Sequence, residues 1–145
     1  MPGDVRETYH AALQHDLVEL PGDARLVGVV RRPTSWFTQI EENRPELGPP
    51  PDLLDEVQER TEDLKLQGMC AEGAHNASWE ETEFADRYRA YLEESEDARA
   101  ELEDLVECVE AGETVVLVCY EGEDKRCHRR ILRDVLRERV EKRGT

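Results

Sequence analysis

The sequence predicts a small α/β domain in which a parallel sheet is flanked by helices. Two short segments carry this prediction: residues 25–30 read RLVGVV and residues 114–118 read TVVLV. A continuous β-branched run of this length is typical of a strand buried on both faces. Ligands of open parallel sheets bind at the carboxyl ends of the strands, so we expect the functional site there.

The length of 145 residues predicts one domain with its own hydrophobic core. We assign the whole chain, residues 1–145, to that domain. An N-terminal helix is expected over about residues 4–20, where apolar residues recur at helical spacing and Asp4 would serve as the N-cap. The rest of the core is expected over about residues 25–142.

Three helices are predicted between the two strand segments. The first begins at Pro51, which suits a first helical turn, and runs to about residue 65. The second begins at Ser78, where the pattern Ser-x-x-Glu predicts a capping box, and runs to about residue 92. The third is capped by Ser95 and ends before Gly112. A final helix is predicted from Cys127 onward, where apolar residues again recur at helical spacing.

Two strands do not make a stable sheet. We therefore expect a third strand near residues 64–69 or 17–20, or a strand contributed by a partner chain. The apolar residues of segment 34–42 predict a short turn or helix. None of these patterns predicts an oligomeric state.

The composition is strongly acidic. The net charge is −16 at pH 7, and the bases comprise 16 Arg and only 3 Lys. An acid-rich surface that is poor in Lys is typical of a halophilic protein, because high salt screens its self-repulsion. An acidic protein with a basic partner is the alternative.

The charge is also uneven along the chain. Residues 52–110 contain 20 acids and 5 bases, whereas residues 125–145 contain 9 bases and 3 acids. The basic segment is either a solvated helix with intrahelical ion pairs or a positive end that attracts an anionic ligand. A base-rich helix in so acidic a chain favours the second interpretation.

Targeting signals are not evident in the sequence. The start, MPGD, lacks the charged and apolar regions of a signal peptide, and no apolar run approaches the roughly 18 residues of a membrane span. We therefore expect a cytoplasmic protein without membrane association. In that compartment the four cysteines predict thiols rather than structural disulfides.

Reactive side chains are concentrated where the second strand segment ends. Cys119 stands at that end, Glu121 lies in the following loop, and Cys127, His128 and Arg129 open the next helix. A thiol at a helix N-terminus beside cations has a lowered pKa, which favours the nucleophilic thiolate. We predict the two cysteines as catalytic residues, and His128 or Glu121 as the groups that move protons.

Arginines are expected on the same edge of the sheet. Arg31 and Arg32 follow the first strand segment, and parallel neighbouring strands would bring them beside the cysteines. Together with Arg129 they are predicted to bind the anionic group of a substrate.

Three other interpretations of the two cysteines stay open. Cys119 and Cys127 could form a thiol–disulfide switch, although their spacing is not Cys-x-x-Cys. They could bind a metal with His128 and with Cys70 or His75, but the spacing matches no zinc pattern, so no metal site is predicted. Cys119 could also be a small buried residue of the core.

Around these residues the chain resembles the DUF488 family. A hydrophobic strand ending in Cys and an acid, a short loop and then Cys-His-Arg correspond to residues 115–119, Glu121 and 127–129. An earlier strand that ends in Arg and is soon followed by Pro corresponds to residues 27–33. The segment 48–50 and the helix around residues 84–92 are also similar.

The resemblance implies a small α/β domain with a parallel sheet, and it implies no assigned activity. The chain departs from longer members because no strand is evident ahead of the Arg-bearing one. This departure leaves the size of the sheet open.

Two classes of function fit these observations. The first is an enzyme that binds an anionic small molecule, phosphate- or nucleotide-like, at the Cys/Cys-His-Arg loop. The second is a binding module for nucleotides or nucleic acid, or a thiol redox or metal sensor. The acidic surface disfavours a broad nucleic-acid interface. The sequence alone does not decide between catalysis and binding, and it points to no cofactor.

Overall fold

The computed structural model describes residues 3–9, 12–13, 20, 23–31, 42–119 and 127–143. Together they form an α/β fold with a four-stranded, fully parallel sheet, in agreement with the predicted fold class. The strands are β1 (Val5–Tyr9), β2 (Arg25–Gly28), β3 (Glu42–Asn43) and β4 (Val115–Cys119).

Strand β4 lies at the centre of the sheet, whose order is β1-β4-β2-β3. It pairs with β1 from Val5↔Val115 to Tyr9↔Cys119, and with β2 on its other side. All five residues of β4 are buried, as its continuous apolar sequence predicts. The carboxyl ends of β1 and β2 therefore lie on either side of Cys119.

The prediction of a helix over residues 4–20 is wrong at its start, because β1 occupies that position. Val5 and Tyr9 are four residues apart, a spacing that fits a helix as well as a strand, and pairing with β4 decides the outcome. Asp4 does not cap a helix; its carboxylate accepts a hydrogen bond from the Val5 backbone N–H at 2.8 Å. Helical backbone appears further on, at Ala12 and Leu13.

Strand β1 also supplies the missing strand ahead of the Arg-bearing one. The third strand expected near residues 64–69 is absent, since residues 64–66 are helical and 67–69 form a turn. Of the alternative position, 17–20, only Leu20 is described. The turn or helix predicted over 34–42 likewise lies outside the described residues, apart from Glu42, which belongs to β3.

Five α-helices are present among the described residues. They are α1 (Pro51–Leu66), α2 (Ala71–Glu81), α3 (Phe84–Glu94), α4 (Glu96–Glu110) and α5 (His128–Arg143), and a short 3-10 helix covers Pro45–Leu47. The predicted positions of α1, α4 and α5 are confirmed. Every helix in the described part of the chain is too short or too polar to cross a lipid bilayer.

Helices α2 and α3 correct the prediction of one helix starting at Ser78. Ser78 is fully buried inside α2, where its hydroxyl donates to the Ala74 carbonyl at 2.8 Å, so it caps nothing. The true N-cap is Cys70, whose sulfur accepts from the Gly73 N–H at 3.3 Å. Glu83 adopts a left-handed conformation with φ 54° and separates the two helices.

The two ends of α4 lie where the sequence predicts them, at Ser95 and before Gly112. The Ser95 hydroxyl accepts from the Ala98 N–H at 3.3 Å, and Gly112, with φ 102°, ends the helix. The N–H groups of Gly112 and Glu113 then donate to the carbonyls of Val109 and Cys108, a Schellman arrangement.

The main core lies between one face of the sheet and the helices, and it includes the buried aromatic residues Trp79, Phe84 and Tyr88. A smaller cluster contains Val116, Val118, Cys119 and Cys127, and partly buried residues near the N-terminus pack against it. The two cysteines predicted as functional are therefore packed in the same cluster.

Candidate functional site

A cavity of about 260 Å³ opens at the carboxyl edge of the sheet. Four residues predicted as functional line it: Cys119 at the end of β4, Cys127 and His128 at the start of α5, and Arg31 just after β2. The other walls come mainly from α1 and α2. They are formed by Val30, Pro49, Leu54, Val57, Gln58, Thr61, Glu62, His75, Trp79 and Phe84.

Cys127 and His128 form a pair on the floor of this cavity. The His128 Nε2 lies 2.6 Å from the Val29 carbonyl oxygen, which can only accept, so Nε2 carries a proton. In the neutral imidazole this arrangement leaves the lone pair on Nδ1, which is 3.6 Å from the Cys127 sulfur. The imidazole is thus oriented to take a proton from the thiol.

Cys119 differs from Cys127 in its environment. Burial raises the pKa of the Cys119 thiol well above its usual range, and a hydrogen bond to Cys127 raises it further, whereas His128 and Arg129 act in the opposite direction. Burial prevails, so the thiol of Cys119 stays protonated. Cys127, at the N-terminus of a 16-residue helix, is the better placed of the two to carry negative charge.

Arg129 is fully buried behind Cys119 rather than in the cavity. Its Nη1 donates to the Cys119 sulfur at 2.8 Å, its Nε donates to the Glu7 carboxylate, and its guanidinium lies 5.7 Å from the centre of the Tyr9 ring. Burial lowers the pKa of Arg129, but the neighbouring cysteines and Glu7 outweigh it and raise the pKa overall. Arg129 therefore remains a buried cation, and its predicted role in substrate binding stays a prediction.

Arg31 reaches the cavity as its position after β2 predicts, but most of its contacts are with one loop. Its Nε donates to the Pro49 carbonyl at 3.0 Å, and Nη2 donates to the Tyr91 hydroxyl at 2.7 Å and lies 3.5 Å from the Gly48 carbonyl. A glycine is required at position 48, because a Cβ added there would lie only 2.6 Å from the backbone nitrogen of Arg31. Whether Arg31 also binds substrate stays a prediction.

Two tyrosines of α3 complete the fixation of this loop. The Tyr88 hydroxyl donates to the Leu47 carbonyl, and the Tyr91 hydroxyl donates to the Glu46 carbonyl at 2.6 Å. With the two contacts of Arg31, the carbonyls of four consecutive residues, 46–49, are held by side chains from other elements. Pro49 is therefore a rigid wall of the cavity.

Aromatic rings form the opposite side of the site. Trp79 and Phe84 stack with their centres 3.7 Å apart, and His75 lies 5.9 Å from Trp79. The edge of His128 meets Tyr88 in a T-shaped contact at 5.6 Å. The sequence leaves open whether His75 faces a cleft or satisfies local backbone groups, and the structure places it on the cavity wall. The sequence favours a core position for Trp79, which is buried and also lines the cavity.

Comparison with known proteins gives one match. The profile of the DUF488-N3a family, described as the active DUF488-N3 subclade, matches residues 11–140. The chain is a member of the DUF488 family. No significant match was found among curated proteins or among solved structures.

Glu7, which lies ahead of the residues that match the family, binds the predicted site residue Arg129 and was missed by sequence reasoning. Its carboxylate forms an ion pair with Arg129. It also lies 3.9 Å from the guanidinium of Arg130 and 3.7 Å from that of Arg133. Because β1 was predicted as a helix, no pattern placed Glu7 at the sheet edge. The sequence indicates its position only through its spacing: Val5, Glu7 and Tyr9 are two residues apart, so in a strand they share one face.

Two predicted site residues, Arg32 and Glu121, lie outside the described residues of the DUF488 domain. All four cysteines are free thiols. Within the described residues, no group of three or more His, Cys, Asp or Glu side chains is arranged to hold a metal ion.

Several arginines of the basic helix α5 form ion pairs with acids outside the helix. Arg137 pairs with Asp4 at 3.6 Å and Arg139 with Glu103 at 3.0 Å, in addition to the arginines gathered around Glu7. These pairs favour the interpretation of α5 as a helix bound to acids of its own chain.

Proposed function

We propose that this DUF488 member is a cysteine-dependent enzyme in which Cys127 is the nucleophile and His128 its base. The observation that carries the proposal is the 3.6 Å separation between the Cys127 sulfur and the His128 Nδ1, on the floor of a cavity at a helix N-terminus. A nucleophile beside a base that is itself oriented by a third group is the general arrangement of covalent catalysis. Here the orienting group is the Val29 carbonyl.

The chemistry follows from these contacts. Nδ1 takes the proton of the Cys127 thiol, and the thiolate attacks an electrophilic atom of the substrate. A bond forms between sulfur and that atom, the bond to the leaving group breaks, and the leaving group takes the proton from the imidazolium. Water then cleaves the bond to sulfur and restores the thiol. Cys119, held by Arg129, donates a hydrogen bond that stabilises the thiolate.

The proposed substrate is a small anionic molecule, phosphate- or nucleotide-like. The N-terminus of α5 supports an anionic group beside Cys127, because its backbone N–H groups and dipole attract negative charge. Arg31 lies on the cavity wall, and Arg32 follows it in sequence. Their positive charges also favour binding of an anionic group. The aromatic side around Trp79 suits a planar group.

The first test is the pH dependence of iodoacetamide alkylation at each cysteine, followed by peptide mass spectrometry. We expect Cys127 to titrate below the roughly 8.5 of a free thiol, with exposed Cys70 as an internal reference for accessibility. Inorganic phosphate and adenosine monophosphate, used as probes, are expected to slow alkylation of Cys127 and leave Cys70 unchanged. Ordinary titration of Cys127, unaffected by either probe, would remove the proposal.

A thiol redox function is the second candidate, because Cys119 and Cys127 lie in the same buried cluster and line the same cavity. A hydroperoxide would oxidise the Cys127 thiolate to a sulfenic acid and leave as an alcohol or water, and the Cys119 thiol would then displace water to form a disulfide. After peroxide treatment, disulfide formation would lower the mass of the wild type by two units, and dithiothreitol would restore it. Such a loss in the wild type but not in Cys119→Ser would support this function. Persistent sulfenic acid without a disulfide would contradict it.

A further inference from the structure

Glu7 stands where strand β1 and helix α5 meet, at the edge of the sheet that carries the cysteines. Its side chain is 18% exposed, and the Arg129 side chain that it binds is 0% exposed. A buried guanidinium needs an acceptor to offset its desolvation. Among the described residues, Glu7 is the one acid that pairs with Arg129.

The contacts of Glu7 continue to the cavity. Arg129 is held by Glu7 through Nε and reaches the Cys119 sulfur through Nη1, while the Tyr9 ring covers its guanidinium. Cys119 in turn lies in the same buried cluster and lines the same cavity as Cys127, which raises the pKa of the Cys119 thiol. Two side chains, Arg129 and Cys119, therefore link Glu7 to the proposed nucleophile.

We propose that Glu7 is a positioning residue for the thiol pair: it fixes the Arg129 guanidinium so that Nη1 donates to the Cys119 sulfur, and this contact directs the Cys119 S–H toward Cys127. The proposal rests on the function proposed for Cys127 and assigns a role to a residue of β1 that touches neither cysteine directly.

Two effects of Glu7 on the thiols have opposite signs, which makes the proposal testable. As a negative charge, Glu7 disfavours a thiolate, so removing the charge alone would promote ionisation. As an anchor, Glu7 holds an N–H donor against sulfur, so removing the anchor would suppress ionisation. The N–H···S contact is direct at 2.8 Å, whereas Glu7 acts on sulfur only from beyond Arg129. We therefore expect the loss of the anchor to prevail.

The experiment compares Glu7→Leu, Glu7→Gln and Glu7→Asp by the pH profile of alkylation at Cys119 and Cys127. Glu7→Leu removes charge and acceptor, and we expect the alkylation midpoint of Cys127 to rise by about one pH unit, which is about tenfold slower alkylation below the midpoint. Glu7→Gln keeps an acceptor for the Arg129 guanidinium, so the alkylation midpoint of Cys127 should not rise in this variant. Glu7→Asp should restore much of the wild-type profile.

Asp4→Asn is the matched control. Asp4 lies on the same segment and pairs with another arginine of α5, Arg137, at 3.6 Å, but this pair does not contact the cysteines. The control should reduce thermal stability without moving the alkylation profile. Should Glu7→Leu fail to fold, Arg129→Lys, whose single amine does not bridge Glu7 and Cys119 as the guanidinium does, is expected to raise the midpoint in the same way.

A midpoint that is unchanged or lower in Glu7→Leu would overturn the proposal, as would an equal shift in Asp4→Asn. The shift is measured against wild type, so it can be read even if Cys127 titrates ordinarily. Ordinary wild-type titration removes the proposed function, whereas an activated Cys127 that ignores Glu7→Leu removes only the role of Glu7.

Discussion

The Cys119 thiol couples the ionisation of a single residue to the stability of the fold. Its pKa is raised in the folded protein, first by burial and then by Cys127, whereas in the unfolded chain the thiol ionises near pH 8.5. Stability from this group is therefore complete below about pH 8.5 and is lost as the pH rises toward the folded pKa. The loss approaches about 1.4 kcal/mol per pH unit for one such group.

We expect the urea midpoint of the wild type to fall between about pH 8.5 and 10, and the fall to be smaller in Cys119→Ala. Tyr88 contributes in the same direction from about pH 10 upward, because burial raises the pKa of its hydroxyl well above the usual value. Below pH 10, where Tyr88 does not contribute, the difference in urea midpoint between the wild type and Cys119→Ala reports the ionisation of Cys119. Equal slopes for the two proteins in that range would contradict the assignment.

A second prediction at the residue scale concerns Tyr88. Its hydroxyl is fully buried and binds the Leu47 carbonyl, so Tyr88→Phe leaves that carbonyl without its donor. We expect a loss of about 1–3 kcal/mol in the free energy of unfolding, measured by urea denaturation. Tyr91→Phe is the control, because Tyr91 is only partly buried and water can replace its hydroxyl. A larger loss for Tyr91→Phe would contradict this explanation.

The ends of α1 and α4 are built alike and lead to a prediction at the scale of elements. Gly68 and Gly112 both have φ 102°, and the N–H of Met69 closes the end of α1 onto the Leu64 carbonyl at 3.1 Å. Nothing lies within 4 Å of a Cβ added at Gly68, so Gly68→Ala tests backbone conformation alone.

We expect Gly68→Ala to lower the free energy of unfolding by about 1 kcal/mol, because a side chain disfavours the left-handed region. Gly68→Asn should cost less, since Asn tolerates that region better. Thermal denaturation of the two variants and the wild type provides the measurement. Equal stability of the Ala variant and the wild type would show that the end of α1 adapts without strain.

The elements that sequence reasoning found are those with a local signature. Strands β2 and β4 lie in short apolar segments rich in Val, and α1, α4 and α5 have caps or clear helical spacing. Strand β1 was missed because its apolar residues fit both periodicities, and its partner β4 lies more than 100 residues away in the chain. The boundary between α2 and α3 was missed because Cys70 is an unusual cap and Glu83 an unusual left-handed residue.

The site was predictable to a similar extent. The positions of Cys119, Cys127, His128 and Arg31 followed from the rule that parallel strands end at one edge. The direction of Arg129, toward Glu7 rather than into the cavity, depends on β1 and could not be inferred without it. The catalytic and binding roles of all these residues remain predictions.

At the scale of the whole molecule, the net charge of −16 predicts a stability that depends on salt. Self-repulsion destabilises the compact state, and salt screens it. We expect the melting temperature to rise between 0.1 and 2 M KCl; a gain of about 1 kcal/mol would raise it by several degrees. A melting temperature that is flat or falls with KCl would contradict the prediction, and the expected halophilic origin would lose its physical basis.

A matched variant tests the cause of that salt effect. Glu93, Glu94 and Glu107 are exposed acids on α3 and α4. Replacing all three with Gln should raise the melting temperature at low salt and reduce its increase with KCl. If the salt dependence is unchanged, general salting-out rather than charge screening is responsible.

The order of strands also bears on how the protein is made. Strands β1 and β2 both pair with β4, and until Val115–Cys119 has been synthesised, the short β3 is the only described strand that β2 can pair with. The four-stranded sheet of the described residues can therefore form only after residues 115–119 have left the ribosome, and Cys127 follows eight residues after Cys119. A chain cut short by translation or proteolysis before residue 115 lacks the central strand and both site thiols together. Cys119 and Cys127 are therefore both made after the other strands of the described sheet.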